Sequence, residues 1–227
     1  MNNVTSILSQ LRALGNPRAL EGMSRYGIHS GNAYGVQIPV LRNMAKALGK
    51  DHALAQQLWR SGVHEARILA GMVADPAHVT ESQANRWARE FDSWDVCDQV
   101  CLNLFAHTGF AYDKCREWSS REDEFVKRAA FALMACLAVG DKEASDRKFV
   151  PFLRLIEREA VDERNYVKKA VNWALRQIGK RSSALNKLAV RTARRIQTFD
   201  SPSARWIASD ALRELRSDAV RNRLRNR

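Results

Sequence analysis

Turn formers are scarce in this chain: 227 residues carry only 11 glycines and 5 prolines. A fold of many short strands needs a turn every few residues, so the shortage argues for helices. No apolar run approaches the roughly 18 residues of a membrane helix, and no membrane span is expected. The N-terminus, Met1-Asn2-Asn3-Val4-Thr5, has neither a basic stretch nor a long apolar core. No secretory signal is therefore expected, and a cytoplasmic location follows. Cysteine is confined to Cys97, Cys101, Cys115 and Cys136, with no C-x2-C pair. These read as buried, reduced core thiols rather than a zinc site. The histidines, His29, His52, His64, His78 and His107, are scattered. His64-Glu65 lacks the second histidine of an H-E-x-x-H site, so neither a metal nor another cofactor is expected.

What the chain does have is helical periodicity nearly throughout. Val4, Ile7, Leu8, Leu11 and Leu14 share one helix face, and Asn16-Pro17 opens the next helix. The segment from Gly27 to Pro39 is the one long break: either a loop that meets a ligand or a plain connection. Beyond it, helices are predicted over 40–48, 53–60, 65–73, 81–91, 94–106, 112–118, 122–139, 145–158, 161–178, 184–196 and 203–215. They pair, and the second helices open near 65, 95, 126, 167 and 204. Val126-Lys127-Arg128-Ala129-Ala130 aligns with Val167-Lys168-Lys169-Ala170-Val171 at an offset of 41. Such a period predicts an all-α, HEAT- or armadillo-like solenoid of one domain over 1–227, curved, with a basic concave face. The last ten or so residues read as a frayed basic tail.

Charge is uneven. The chain holds 37 Lys and Arg against 25 Asp and Glu, yet residues 164–227 alone hold 17 basic and 4 acidic residues. Within otherwise apolar helical patterns, Lys168, Lys169, Arg176, Lys180 and Arg181 read as an electrostatic footprint for nucleic acid. Helix N-termini add partial positive charge toward phosphates.

A carboxylate in such a surface opposes affinity and needs a reason. In Asp92-Ser93-Trp94-Asp95-Val96-Cys97-Asp98, a helix places Trp94 and Asp98 side by side, with Asp95 adding negative charge in the same turn. A developing positive charge on a substrate is such a reason. Repeat position adds Arg128 and Trp173 to the same wall. Arg128 has two readings, a phosphate clamp or a bridge to a neighbouring acid. Trp59, Trp87 and Trp206 are expected in the core.

Five ordered elements carry a resemblance. They are Tyr26; Gly35-Val36-Gln37-Ile38-Pro39; Ser93 through Asp98; Val126 through Ala130; and Lys168-Lys169-Ala170-Val171-Asn172-Trp173-Ala174-Leu175-Arg176. Together they resemble the AlkD-type DNA alkylation repair glycosylases, a HEAT-repeat family, from about Tyr26 to about Arg216. The resemblance implies a monofunctional glycosylase that excises cationic N3- or N7-alkylated purines from double-stranded DNA, without flipping the base. Asp98 takes the place of the catalytic carboxylate, Trp94 and Trp173 of walls against the deoxyribose, and Arg128 of a group near the phosphate. Tyr26, Gln37 and Arg176 match DNA contacts. Where the family often has two adjacent tryptophans, this chain has Ser93-Trp94, and Cys97 and Cys136 stand where members vary. No lysine Schiff base is needed, so no strand-cleaving lyase activity is expected, and the chain is expected to act as a monomer. Two other readings fit the helices and the charge: a catalytically silent HEAT-repeat protein that binds duplex or branched DNA, and a scaffold for an acidic protein.

Overall fold

The computed structural model describes residues 3–28 and 31–226; His29, Ser30 and Arg227 of the segments discussed above lie outside the described residues. Among the described residues there are fourteen α-helices, three single 3₁₀ turns and no strand. Among the described residues no helix is long and apolar enough to cross a membrane. The chain forms two compact units, Met1–Thr108 and Gly109–Arg227.

The first unit contains α1 (Val4–Ala13), α2 (Pro17–Arg25), α3 (Ile38–Leu48), α4 (His52–Arg60), α5 (His64–Val73), α6 (Glu81–Arg89) and α7 (Trp94–Asn103). Start signals are local. Asn3, Asn16, Asp51 and Thr80 each accept a first-turn amide, and prolines occupy first-turn positions in α2 and α3. The helices α3, α5 and α7 pack side by side, and α4 covers α5. Behind them Trp59 stacks on Trp87 at 4.1 Å between ring centres, with Phe91 edge-on to Trp59 at 5.9 Å. Burying each such side chain contributes about 1.5–3 kcal/mol.

The second unit contains α8 (Ala111–Trp118), α9 (Glu124–Gly140), α10 (Val150–Glu159), α11 (Asn165–Gly179), α12 (Ser183–Ile196), α13 (Pro202–Leu215) and α14 (Asp218–Arg225). Helices α9, α11 and α13 form one layer; α8 packs on α9, and α12 spans α10, α11 and α13. The sequence of α9 is apolar all round, so the helix is a core element, buried without interruption from Arg128 to Ala138. Small residues let the layers approach. A Cβ at Gly179 would lie 2.9 Å from that of Ala189 and 2.7 Å from Leu215, so α11 meets α12 and α13 almost backbone to side chain.

The second helices open at 64, 94, 124, 165 and 202, each within two residues of the positions read from periodicity. Three boundaries differ by three residues or more. The helix expected from 161 starts at Asn165, because Asp162 turns the chain first, taking the amide of Arg164 at 3.1 Å. The helix expected to reach 106 ends at Asn103, and the one expected from 145 starts at Val150 after a 3₁₀ turn. The segment read as a frayed tail is helical to Arg225, capped by Ser217 and anchored by buried Val220. All four cysteines are buried. Burial pushes the Cys115 thiol well above its ordinary range, which leaves it a packing group rather than a nucleophile.

Candidate functional site

Helix α7 begins at Trp94, so Trp94 and Asp98 lie one turn apart on one side of it. Its buried face is Val96, Cys97, Val100 and Cys101. Trp94 and Asp98 flank that face and are both half-buried. The Trp94 indole Nε1 donates to the backbone carbonyl of Tyr26 at 3.0 Å, fixing the ring against the end of α2. The Tyr26 side chain itself is 74% exposed. Two of the sequence-selected residues are thus brought together by a contact 68 residues apart in sequence.

Asp95 does not add free negative charge to this turn, as the sequence suggested. Its Oδ2 accepts from His64 Nε2 at 2.8 Å, and its Oδ1 accepts from the Ser93 hydroxyl. Burial alone weighs against both charges. The hydrogen bond and charge of Asp95, with Glu65 and Asp92 nearby, outweigh it and raise the His64 pKa. The same partner, the Ser93 hydroxyl and the Val96 amide outweigh burial at Asp95 and hold its pKa below the usual value. The first turns of α5 and α7 are therefore joined by a buried histidine–carboxylate hydrogen bond.

Glu65, only 1% exposed, holds the glycine-bearing break in place. Its carboxylate accepts the amides of Tyr34 (2.9 Å), Gly35 (2.7 Å) and Val36 (3.2 Å). It does so from the first turn of α5, where helix polarity favours an anion. Gly35 has φ of 79°, and a Cβ there would lie 2.4 Å from the Asn16 carbonyl oxygen. Only glycine fits that close turn. The described part of the break is thus a pinned connection that delivers Gln37, exposed, to the start of α3. Neither His64 nor Glu65 was selected from the sequence, because their partners lie about 30 residues away.

In the second unit Arg128 is 5% exposed and donates to the Tyr166 carbonyl at 2.7 Å, tying α9 to the start of α11. Beside it Lys127 bonds Glu159 at 2.6 Å and Asp162 at 3.3 Å. Trp173 is half-buried on α11. The basic residues of α11 divide by partner. Lys169 is exposed, and the Lys168 ammonium sits 5.5 Å from the Trp206 ring centre. Arg176 and Lys180 both pair with Glu214 of α13, at 2.8 and 2.6 Å, and Arg176 lies 3.5 Å from Asp210. Arg181 is a fold element: it donates to the carbonyls of Ala138 (3.1 Å) and Ala144 beyond the end of α9 and lies over Phe149 at 4.4 Å. Three members of the presumed footprint are thus balanced inside the protein by partners invisible to local reading.

Positive charge that the sequence did not single out lies on α12, where Lys187, Arg191 and Arg194 are exposed at helical spacing. Trp59 and Trp87 are buried as expected, but Trp206 is 42% exposed. The buried stripe of α13 is Ala204, Ile207, Ala208, Ala211 and Leu215, and position 206 falls outside it. Helices α3, α5, α7, α9 and α11 begin without a hydrogen bond from an N-cap side chain. Helix α13 differs: Glu163 and Ser201 already serve its first turn. No cluster of three metal-ligating side chains occurs among the described residues.

Trp94 and Asp98 thus stand one turn apart on α7 in an all-helical fold of paired helices. The sequence matches the family described as "DNA alkylation repair enzyme" over residues 7–215, and the chain belongs to that family. Among solved structures, one is described as "a new family of proteins related to the HEAT-like repeat DNA glycosylases with affinity for branched DNA structures". It is 21% identical, with a TM-score of 0.79 over 98% of this chain and 96% of that one. The fold is accordingly HEAT-like. No curated protein matches the chain.

Proposed function

We propose that this protein binds double-stranded DNA and hydrolyses the N-glycosidic bond of cationic N3- or N7-alkylated purines. The observation that carries the reading is Asp98 beside Trp94 on α7, held by the His64–Asp95 bond and the Tyr26 carbonyl, in a chain of a DNA alkylation repair family.

Alkylation makes the purine a cation and a good leaving group. As C1′–N stretches, the bonding pair returns to the base and neutralises it, while positive charge builds on the sugar. The Asp98 carboxylate stabilises that charge and orients a water, which adds to C1′ and loses a proton. The face of Trp94 favours the cationic sugar, by about 0.5–2 kcal/mol. Arg128, buried on Tyr166, contributes a fixed positive charge rather than a mobile clamp. Lys169, Lys168, Gln37 and Tyr26 contact the DNA backbone, with Arg176 and Lys180 in support through Glu214. Nothing in this chemistry calls for base flipping, for a lysine Schiff base or for a second protomer.

A second reading is supported by the solved relative with affinity for branched DNA: recognition of DNA structure without turnover. One experiment separates the two. The full chain is incubated with methylated duplex DNA and released 7-methylguanine and 3-methyladenine are quantified, with Asp98→Asn alongside. Release that falls about 10²- to 10³-fold in the variant supports hydrolysis. Salt-sensitive binding with no release supports the second reading, and absence of both removes DNA as the partner.

A further inference from the structure

We propose that Trp206 is a stacking platform for an unpaired nucleotide base, with Lys168 and Lys169 beside it to hold the adjoining phosphates. The proposal rests on the DNA-binding reading above and adds a site to it.

Trp206 keeps 42% of its surface accessible, although tryptophan is the side chain that gains most from burial. The packing of α13 does not need it, since Ala204, Ile207, Ala208 and Ala211 supply the buried face. The position belongs to a row. Arg128 reaches Tyr166, Asn172 reaches Asp210 and Arg176 reaches Glu214, each across 38 residues, and Lys168 lies over Trp206 across the same interval. The buried stripes of the two helices align at an interval of 37 residues, 167 with 204, 170 with 207, 171 with 208 and 174 with 211, so Trp206 stands in α13 where exposed Lys169 stands in α11. An accessible indole flanked by exposed lysine is the combination that binds single-stranded nucleic acid. In an intact duplex each base face is covered by its neighbours. A protruding indole can stack only on a base whose face is free, at an end, a gap or a branch. The charge selects the occupant: an apolar protein partner gains nothing from an ammonium 5.5 Å from the ring, whereas a nucleotide uses both.

The test uses the full chain and three fluorescein-labelled probes: a duplex, the same duplex with a single-stranded oligothymidine arm, and the arm alone. Affinity is read by anisotropy for wild type, Trp206→Ala and Trp206→Phe, with thermal melting as the folding check. Wild type is expected to bind the armed duplex more tightly than the plain one. Trp206→Ala should weaken armed-duplex binding about fivefold or more, leave the plain duplex within about twofold, and melt with wild type. Trp206→Phe should retain most of the preference. Equal loss on all probes, or no loss on any, overturns the platform while leaving duplex binding standing. Failure of wild type to bind any probe overturns the DNA reading itself.

Discussion

His64 on the first turn of α5 and Asp95 on the first turn of α7 face each other across 2.8 Å, Nε2 to Oδ2. This bond sets the spacing of two helix starts and, through Ser93, the point at which α7 begins. Because His64 is raised and Asp95 lowered, each contributes stability over a different range. The His64 part is complete below about pH 6.5 and is lost as pH rises through its raised value. The Asp95 part is complete above about pH 4 and is lost as pH falls through its lowered value. The pair should therefore stabilise the fold most between these limits. Urea unfolding of wild type, His64→Gln and Asp95→Asn across pH checks this. Variants whose pH profile parallels that of wild type would refute it.

Glu65→Gln should cost about 2–3 kcal/mol. It replaces a buried anion that accepts three amides with a neutral group whose NH₂ must face the Tyr34 amide, now 3.0 Å from Oε2. Chemical denaturation gives the number. A loss within about 0.5 kcal/mol, the range of an ordinary surface change, would show that the carboxylate does not hold the turn.

Gly35→Ala acts on the same turn from the other side. The residue lies at φ of 79° and its new methyl would meet the Asn16 carbonyl at 2.4 Å. A loss of about 1–3 kcal/mol is expected, seen as a lower melting temperature. An unchanged melting temperature would mean that the turn relaxes freely.

The lysines of α11 should separate by role. Lys169→Gln is expected to flatten the slope of log affinity against log salt by about 0.9 without changing thermal stability. Lys180→Gln should do the reverse first, lowering stability because Glu214 loses one of its two cationic partners, the one at 2.6 Å. Identical behaviour of the two variants would contradict the division of charge seen here.

How much of this could be read from the chain is clear from particular residues. Helix starts were legible because caps, prolines and the apolar stripe are local, so Trp94 was placed at the head of α7 and beside Asp98. The exposure of Trp206 was legible too, had the stripe of α13 been followed: 204, 207, 208 and 211 exclude 206. The pairings were not. His64 finds Asp95 across 31 residues, Arg176 finds Glu214 across 38 and Lys180 finds the same acid across 34. Nothing in the local pattern marks which cation is already neutralised. Composition therefore overstated the charge that α11 offers to a partner and passed over the exposed set on α12.

The grip of Glu65 on three successive amides has a kinetic corollary. Residues 34, 35 and 36 have no helix or sheet of their own to slow the exchange of their amide protons with deuterium. A single anion does that work, so those protons should become labile together, in one opening event, whenever the carboxylate lets go.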